Sequence, residues 1–240
     1  MFNNIRNYSK CFNLLINKLR TSPLPSIIKS VRLGGLTYLD DAALNDLFQQ
    51  VIRIELESLD GDLIEAGCAL GGSAIVIATG KSPQRSFYIY DVFGMIPPPS
   101  KQDDADVHER YNIIMNGASQ GINGDRYYGY EENLYENVVD NFRQHGVPIE
   151  ENNTYLIKGL YEKTMHIKRP IALAHIDCDW YESVMTCLQR ITPFLVRGGV
   201  LVIDDYYTWS GCKKAVDTFF NDKLDKYKFC QKARLHIIRK

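Results

Sequence analysis

Aspartates gather at the ends of two apolar runs: IALAHI leads into Asp177-Cys178-Asp179, and GGVLVI leads into Asp204-Asp205. Carboxylates crowded together repel one another and are poorly solvated, so they either take up protons or hold a cation. Oxygen-only ligands favour Mg²⁺, with Ca²⁺ or Mn²⁺ as substitutes. The plain alternative is a set of solvated loop caps, but two apolar runs ending alike by accident is the weaker account. A second constellation lies upstream in GDLIEAGCALGGSAIVIATG, where Glu65 precedes Gly67, Gly71 and Gly72 and Ser73 opens a helix. Glycines let the backbone approach a ligand closely, and a helix amino end presents free N–H groups. A carboxylate ahead of the glycines would repel a pyrophosphate and suits a cationic or hydroxyl-rich ligand. S-adenosylmethionine, with its ammonium, sulfonium and ribose, is such a ligand. Asp91 closes SFYIYD about twenty residues past the glycine turn and is placed for a ribose diol, which fits NAD equally well.

These groups need a scaffold that brings them together. A short apolar run bounded by turn signals is the mark of a strand buried on both faces. Between the two acidic runs, WYESVMTCLQRITPFLVRGG repeats apolar residues at helical spacing and is expected to stop at Gly198-Gly199. Strand, helix, strand then forms a right-handed crossover with the strands parallel and adjacent. Both acidic ends fall at the carboxyl edge of one sheet, where open α/β sheets bind ligands. Asp179, two residues past Asp177, is expected on the same strand face. His175 shares that parity and is a rival candidate for a base, but it reads more simply as a core residue.

The chain has 240 residues, 45% apolar and 24% charged, which suits one soluble α/β domain with an extension and a lid. A net charge of −1 supplies no long-range field, so nucleic acid and an anionic membrane are poor partners. Six cysteines are scattered without a CxxC pair, as expected of reduced thiols in a cytoplasmic protein. No run is long and apolar enough for a membrane span, and the beginning lacks a signal-peptide core.

Residues 1–20 are basic, with apolar positions at roughly helical spacing, and are expected to form a helix on the body or on a second subunit of a homodimer. TSPLPS then breaks the chain. A long helix follows, capped by Asp40 or Asp41, with Leu44, Leu47, Phe48, Val51, Ile52 and Leu56 as its buried stripe. We set the boundary between the extension (1–36) and the main domain (37–240) at this point. From 92 to 130 periodicity is lost in a Pro-, Gly-, Asn- and Tyr-rich stretch, expected to be a lid over about 94–130. Tyr127, Tyr128 and Tyr130 could wall a sugar there. TYLIKG is a strand ending at Gly159, SGCKKAVDTFF a helix, and KYKFCQKARLHIIRK two short edge strands.

Together, Glu65-x-Gly67, Asp91, HIDCDWYES and the Asp204-Asp205-Tyr206 with downstream SGCKKAVDTF resemble the macrocin (TylF/MycF-like) sugar O-methyltransferases over about 37–220. The resemblance implies a class I, Rossmann-like α/β fold with a mostly parallel seven-stranded sheet and helices on both faces. It implies S-adenosylmethionine and Mg²⁺ as cofactors and a saccharide or small-molecule acceptor with neighbouring hydroxyls. It places the metal on Asp177, Asp204 and Asp205 and the general base at Asp179. It gives the cofactor to the segment from Glu65 to Ser73, to Asp91, Gly159 and Asp177, and to a closing loop at Thr37 and Tyr38. The family continues its second strand as Asp-Ser-Phe-Glu-Gly-Leu-Pro, whereas this chain reads DVFGMIP, so the departure falls on the acceptor side. A metal-dependent glycosyltransferase also ends a strand in Asp-x-Asp, but it would need neither the glycine turn nor the second acid pair. A non-catalytic binding protein of this fold would have no use for the full acid set.

Overall fold

The computed structural model describes residues 25–240, and the helix expected over 1–20 lies outside the described residues. Seven strands form a single sheet: β1 (Asp62–Ala66), β2 (Phe87–Asp91), β3 (Thr154–Lys158), β4 (Ile171–Ile176), β5 (Leu195–Ile203), β6 (Tyr227–Gln231) and β7 (Leu235–Arg239). Their order is β3-β2-β1-β4-β5-β7-β6, parallel except that β7 runs against both of its neighbours. The chain builds outward from β1 to β3, then crosses back to β4. The seam between β1 and β4 is therefore the topological switch point, and loops leaving its carboxyl edge diverge around a cleft.

Helices cover both faces. On one side α2 (Asp41–Leu56) and α3 (Gly72–Gly80) pack Leu44, Leu47, Val51 and Ile75 against Leu63, Leu173 and Val200. On the other, α7 (Tyr181–Ile191) and α8 (Ser210–Phe220) pack Val184, Leu188, Ala215 and Phe220 against Ile64, Ala174 and Leu201. Alternating residues of β1, β4 and β5 thus serve opposite faces, which accounts for their unbroken apolar runs. A short helix, α1 (Ser26–Leu33), adds Ile28 and Val31 to the first core. Helix α2 is capped by Asp40, whose carboxylate accepts the Ala43 N–H at 2.8 Å. Among the described residues no helix is long and apolar enough to cross a membrane.

Three expectations need correction. The stripe of α2 runs through Ala43, Leu44, Leu47, Val51 and Ile54, while Leu56 is 49% exposed, because two residues past Ile54 the helix has turned it off the buried face. Gly198 and Gly199 do not stop α7. That helix ends at Ile191 ahead of Pro193, and the glycines lie inside β5. There the register jumps from Ile171 opposite Leu195 to Leu173 opposite Val200, and Gly198 adopts φ +79°. The glycines make a bulge, which a sequence pattern does not distinguish from a helix stop. Finally, 92–130 is not all loop. It contains α4 (Ala105–Met115), with only Val107 and Ile114 buried, a stripe too thin to register as periodic. Two further helices, α5 (Leu134–Gln144) and the single-turn α6 (Tyr161–Thr164), complete the set.

Strand β7 places His236 opposite Val202, fully buried and with neither ring nitrogen partnered among the described residues. Burial, together with Lys232, His175 and Arg53 and against Asp46, holds its imidazole down from 6.5 to about 4. The unfolded chain protonates below its ordinary value while the fold does not, so stability is unaffected above pH 6.5 and falls as pH drops toward 4. The loss is expected to reach about 2–3 kcal/mol near the lower limit. Urea midpoints measured across this range should show the slope in the wild type and a flatter profile in His236→Leu. An identical slope in both would remove His236 as the source.

Candidate active site

The first wall of the cleft is built from backbone contacts. Gly67, just past β1, adopts φ +87°, and a Cβ there would lie 1.8 Å from the Asp177 carbonyl oxygen. Its N–H donates to Tyr90 O, and the Asp177 N–H donates to Ala66 O, so the loops after β1, β2 and β4 interlock. Gly71, at φ +88°, turns the chain into α3. The Gly72 N–H donates to Leu36 O at 3.0 Å, and a side chain there would collide with Leu36 and Thr37. This contact draws the 36–39 segment over the amino end of α3.

Asp91 is buried at the end of β2, where it accepts N–H bonds from Cys68 at 2.8 Å and Phe93 at 2.7 Å. Burial raises its pKa and those N–H bonds oppose the shift. Each oxygen keeps a lone pair that can accept a hydroxyl. These residues border a cavity of about 340 Å³ lined by Thr37, Tyr38, Gly67, Ser73, Asp91, Asp177, Asp179, Asp204 and Asp205, among others. Nine of the thirteen residues proposed from sequence therefore border one space, of ligand size.

Glu65, Gly71, Gly72 and Gly159 are outside that lining. Glu65 is wholly buried and in register beside His175, with its carboxylate 2.7 Å from the ring Nδ1, so it faces a histidine and not the cavity. Gly71, Gly72 and Gly159 shape the turns, and the Gly159 N–H ties β3 to Asp91 O. His175 is indeed the core group behind the acids. Burial works against its charge, yet the Asp204 and Glu65 carboxylates lift its pKa to about 10.

The acids divide in a way the sequence does not indicate. Strand β4 ends at Ile176, so Asp177-Cys178-Asp179 is a turn, and Asp179 sits at φ +55°. Strand parity does not apply. Instead the turn folds Asp179 back, and oxygens of Asp177, Asp179 and Asp205 lie within 4.8 Å of one another. Asp204 groups with His175 and Asp177, and the guanidinium of Arg234, from the turn between β6 and β7, meets it at 2.7 Å. Burial pushes the Asp177 and Asp205 carboxyls well above their ordinary range, Asp204 adding to the first and Asp179 to the second. Burial raises Asp179 as well. It would raise Asp204 too, but His175 and Arg234 hold that group below its ordinary value. One carboxylate is thus neutralised by the protein, and three are left short of positive charge. Asp205 Oδ2 is buried without a hydrogen-bond partner among the described residues. An all-oxygen, under-compensated cluster of this kind fits a hard divalent cation.

The remaining wall comes from the 92–130 segment. Asp103 accepts the Tyr181 N–H at 2.7 Å, and Asp106 accepts the Ser210 N–H at 3.0 Å, so the segment caps the first turns of α7 and α8. Helix α4 then presents Arg110 and Ile114, one turn apart, to the cavity beside Tyr127 and Tyr128. Tyr130 is a brace and not a wall residue, its hydroxyl donating to Ile114 O at 2.6 Å. Trp180 is core, with its indole N–H on Pro97 O, while Trp209, packed edge-on against it, reaches the lining. Sequence reading missed Arg110, Arg234, Thr208 and Trp209. Only Thr208 and Trp209, a few residues past Asp205, carried a signal, through their nearness to a proposed site residue.

A glycine turn after the first strand, an acid closing the second, and a ligand cleft at the switch of a seven-stranded sheet with an antiparallel end define the class I methyltransferase fold. The solved structure of the O-methyltransferase NovP shares this fold at a TM-score of 0.71, with 22% identity, covering 85% of this chain and 82% of that one. Residues 32–226 match the macrocin-O-methyltransferase (TylF) family, and the chain belongs to that family. It is 27% identical over 187 residues to the demethyldecarbamoylnovobiocin O-methyltransferase of Streptomyces niveus, covering 73% of this chain. It is 25% identical over 182 residues, 73% of its length, to the 8-demethyl-8-(2,3-dimethoxy-alpha-L-rhamnosyl)-tetracenomycin-C 4'-O-methyltransferase of Streptomyces olivaceus. Each match spans 64% of the relative's length.

The Gly67 contact gives a direct test of this architecture. Gly67→Ala must push the β1 and β4 loops apart and is expected to cost about 3 kcal/mol, read as a lower urea midpoint. Gly94→Ala, where a Cβ meets nothing within 4 Å, should leave the midpoint unchanged. Equal midpoints for both variants would show that the interlock does not stabilise the fold.

Proposed function

We propose that this protein is an S-adenosylmethionine- and Mg²⁺-dependent O-methyltransferase acting on a sugar hydroxyl of a glycosylated metabolite. The observation that carries the reading is the oxygen cluster of Asp177, Asp179 and Asp205 in the same cavity as Asp91 and the glycine turn. Membership of the macrocin-O-methyltransferase family and the rhamnosyl-bearing compound named for the S. olivaceus relative support it.

In this reading Asp91 accepts the ribose hydroxyls. Ser73 and the first turn of α3, beyond the Gly72 N–H that Leu36 occupies, take the cofactor's carboxylate, as helix amino ends do for anions. Thr37 and Tyr38 cover it. Asp177 and Asp205 would hold the cation, with Asp204 at its edge, fixed by Arg234 and His175. When bound, the cation supplies Lewis acidity that brings a ligating hydroxyl within reach of a carboxylate base, and the cofactor supplies an electrophilic methyl group. Asp179 takes the hydroxyl proton. Tyr128 and Trp209 exclude water and orient the acceptor, which is where positioning contributes to rate. Five thiols with no disulfide among the described residues suit action in the cytoplasm.

Titration calorimetry with S-adenosylhomocysteine tests the cofactor assignment. The wild type should bind, and Asp91→Ala should weaken binding by about thirtyfold or more through the loss of charged hydrogen bonds. Asp179→Asn should bind as the wild type does while methyl transfer to an accepted sugar falls by about a hundredfold or more. A wild type that ignores S-adenosylhomocysteine but evolves heat with a nucleotide sugar and Mn²⁺ would sink the proposal.

A further inference from the structure

Two arginines line the cavity, and they are not equivalent. Arg234 is consumed by Asp204 at 2.7 Å and sits 3.7 Å from Asp40. Arg110 has no carboxylate within ion-pairing distance among the described residues. One of its N–H groups donates to Ser119 Oγ at 2.9 Å, and its guanidinium lies 5.8 Å from the Tyr127 ring centre. Ser119 is itself buried and held by the Tyr130 hydroxyl, which in turn bonds to Ile114 O. The side chain is thus fixed from behind, with most of its five donors uncommitted.

On the proposed reading, the cofactor's carboxylate already has its place at Ser73 and the amino end of α3, and the cofactor's other charges are positive. The cation likewise adds only positive charge. Nothing in that reading needs a further fixed guanidinium on the acceptor side, yet α4 is pinned by Asp106 so that one is presented there. A planar fork of N–H donors is the usual recognition element for an oxyanion.

We propose that Arg110 is an acceptor-specificity residue, and that the sugar this enzyme methylates carries an oxyanion, a phosphate ester or a carboxylate, close to the reacting hydroxyl. Arg110 and Asp179 line the same cavity, so the anion and the reacting hydroxyl belong to the same sugar or to adjoining groups. The inference rests on the methyltransferase reading and narrows its substrate.

Calorimetry on protein saturated with S-adenosylhomocysteine and Mg²⁺ tests it, using glucose 1-phosphate, glucuronate and methyl glucoside as probes. At least one anionic probe should bind ten times more tightly than methyl glucoside, and which one does separates phosphate from carboxylate. Arg110→Ala should abolish that preference with S-adenosylhomocysteine affinity unchanged, and Arg110→Lys should restore part of it. Methyl glucoside binding as well as the charged probes, or none of the three binding to a protein that does take S-adenosylhomocysteine, would overturn the inference. So would a parallel loss of S-adenosylhomocysteine affinity in Arg110→Ala, which would assign the guanidinium to the cofactor. Failure of the wild type to bind S-adenosylhomocysteine at all would instead count against the methyltransferase reading.

Discussion

Four carboxylates share a space in which none can be well hydrated, and much of the architecture is a response to that. Adjacent parallel strands place their carboxyl ends side by side, so acids ending β4 and β5 are forced together by topology. The fold compensates in layers. Behind Asp204, the imidazole of His175 is held charged between it and Glu65. Beside it, Arg234 arrives from the antiparallel end of the sheet. Among the described residues, Asp177, Asp179 and Asp205 receive no comparable partner. Removing either side of a buried pair leaves an uncompensated charge, which costs more than the pair itself contributes. Glu65 and Arg234 are therefore as much part of the site as the acids they serve, although Glu65 never reaches the cavity.

Backbone packing fixes the other half of the site. The Gly67 and Gly72 positions admit no side chain, one because of Asp177 and the other because of Leu36 and Thr37. A ligand held by the glycine turn is by construction next to the acidic cluster on one side and under the 36–39 segment on the other. The sheet supplies the precision and the loops supply the groups, as in other open α/β sheets.

The sequence reveals those parts of the site that follow from a short local pattern. Apolar runs closed by acids identify β4 and β5, and the acid-then-glycine turn identifies the switch point, because parallel topology leaves little freedom in where strand ends go. What escapes is whatever depends on tertiary direction. A strand buried on both faces has no polar side, so nothing indicates that Glu65 turns toward His175. Asp179 looks like a strand residue until β4 is seen to end at Ile176. The Gly198-Gly199 pair is ambiguous between stopping a helix and bulging a strand. Arg110 and Arg234 are single arginines in segments whose partners lie far away in sequence, and α4 buries too few residues to show a period.

Asp103 and Asp106 couple the 92–130 segment to the helices that follow the two acidic turns. Its entry is thus tied to the helix starts beneath the acids, while its outer stretch from Met115 to Tyr130 is braced within itself by Tyr127 and Tyr130 and packs Tyr128 against Tyr38 of the body. Such an arrangement separates two kinds of change. Substitutions in the stretch beyond Met115 can redraw one wall of the cavity without touching the helix starts beneath the acids. Substitutions at the clamp act on the helix starts beneath them. One scaffold can therefore be refitted to new ligands while its acidic cluster stays in place.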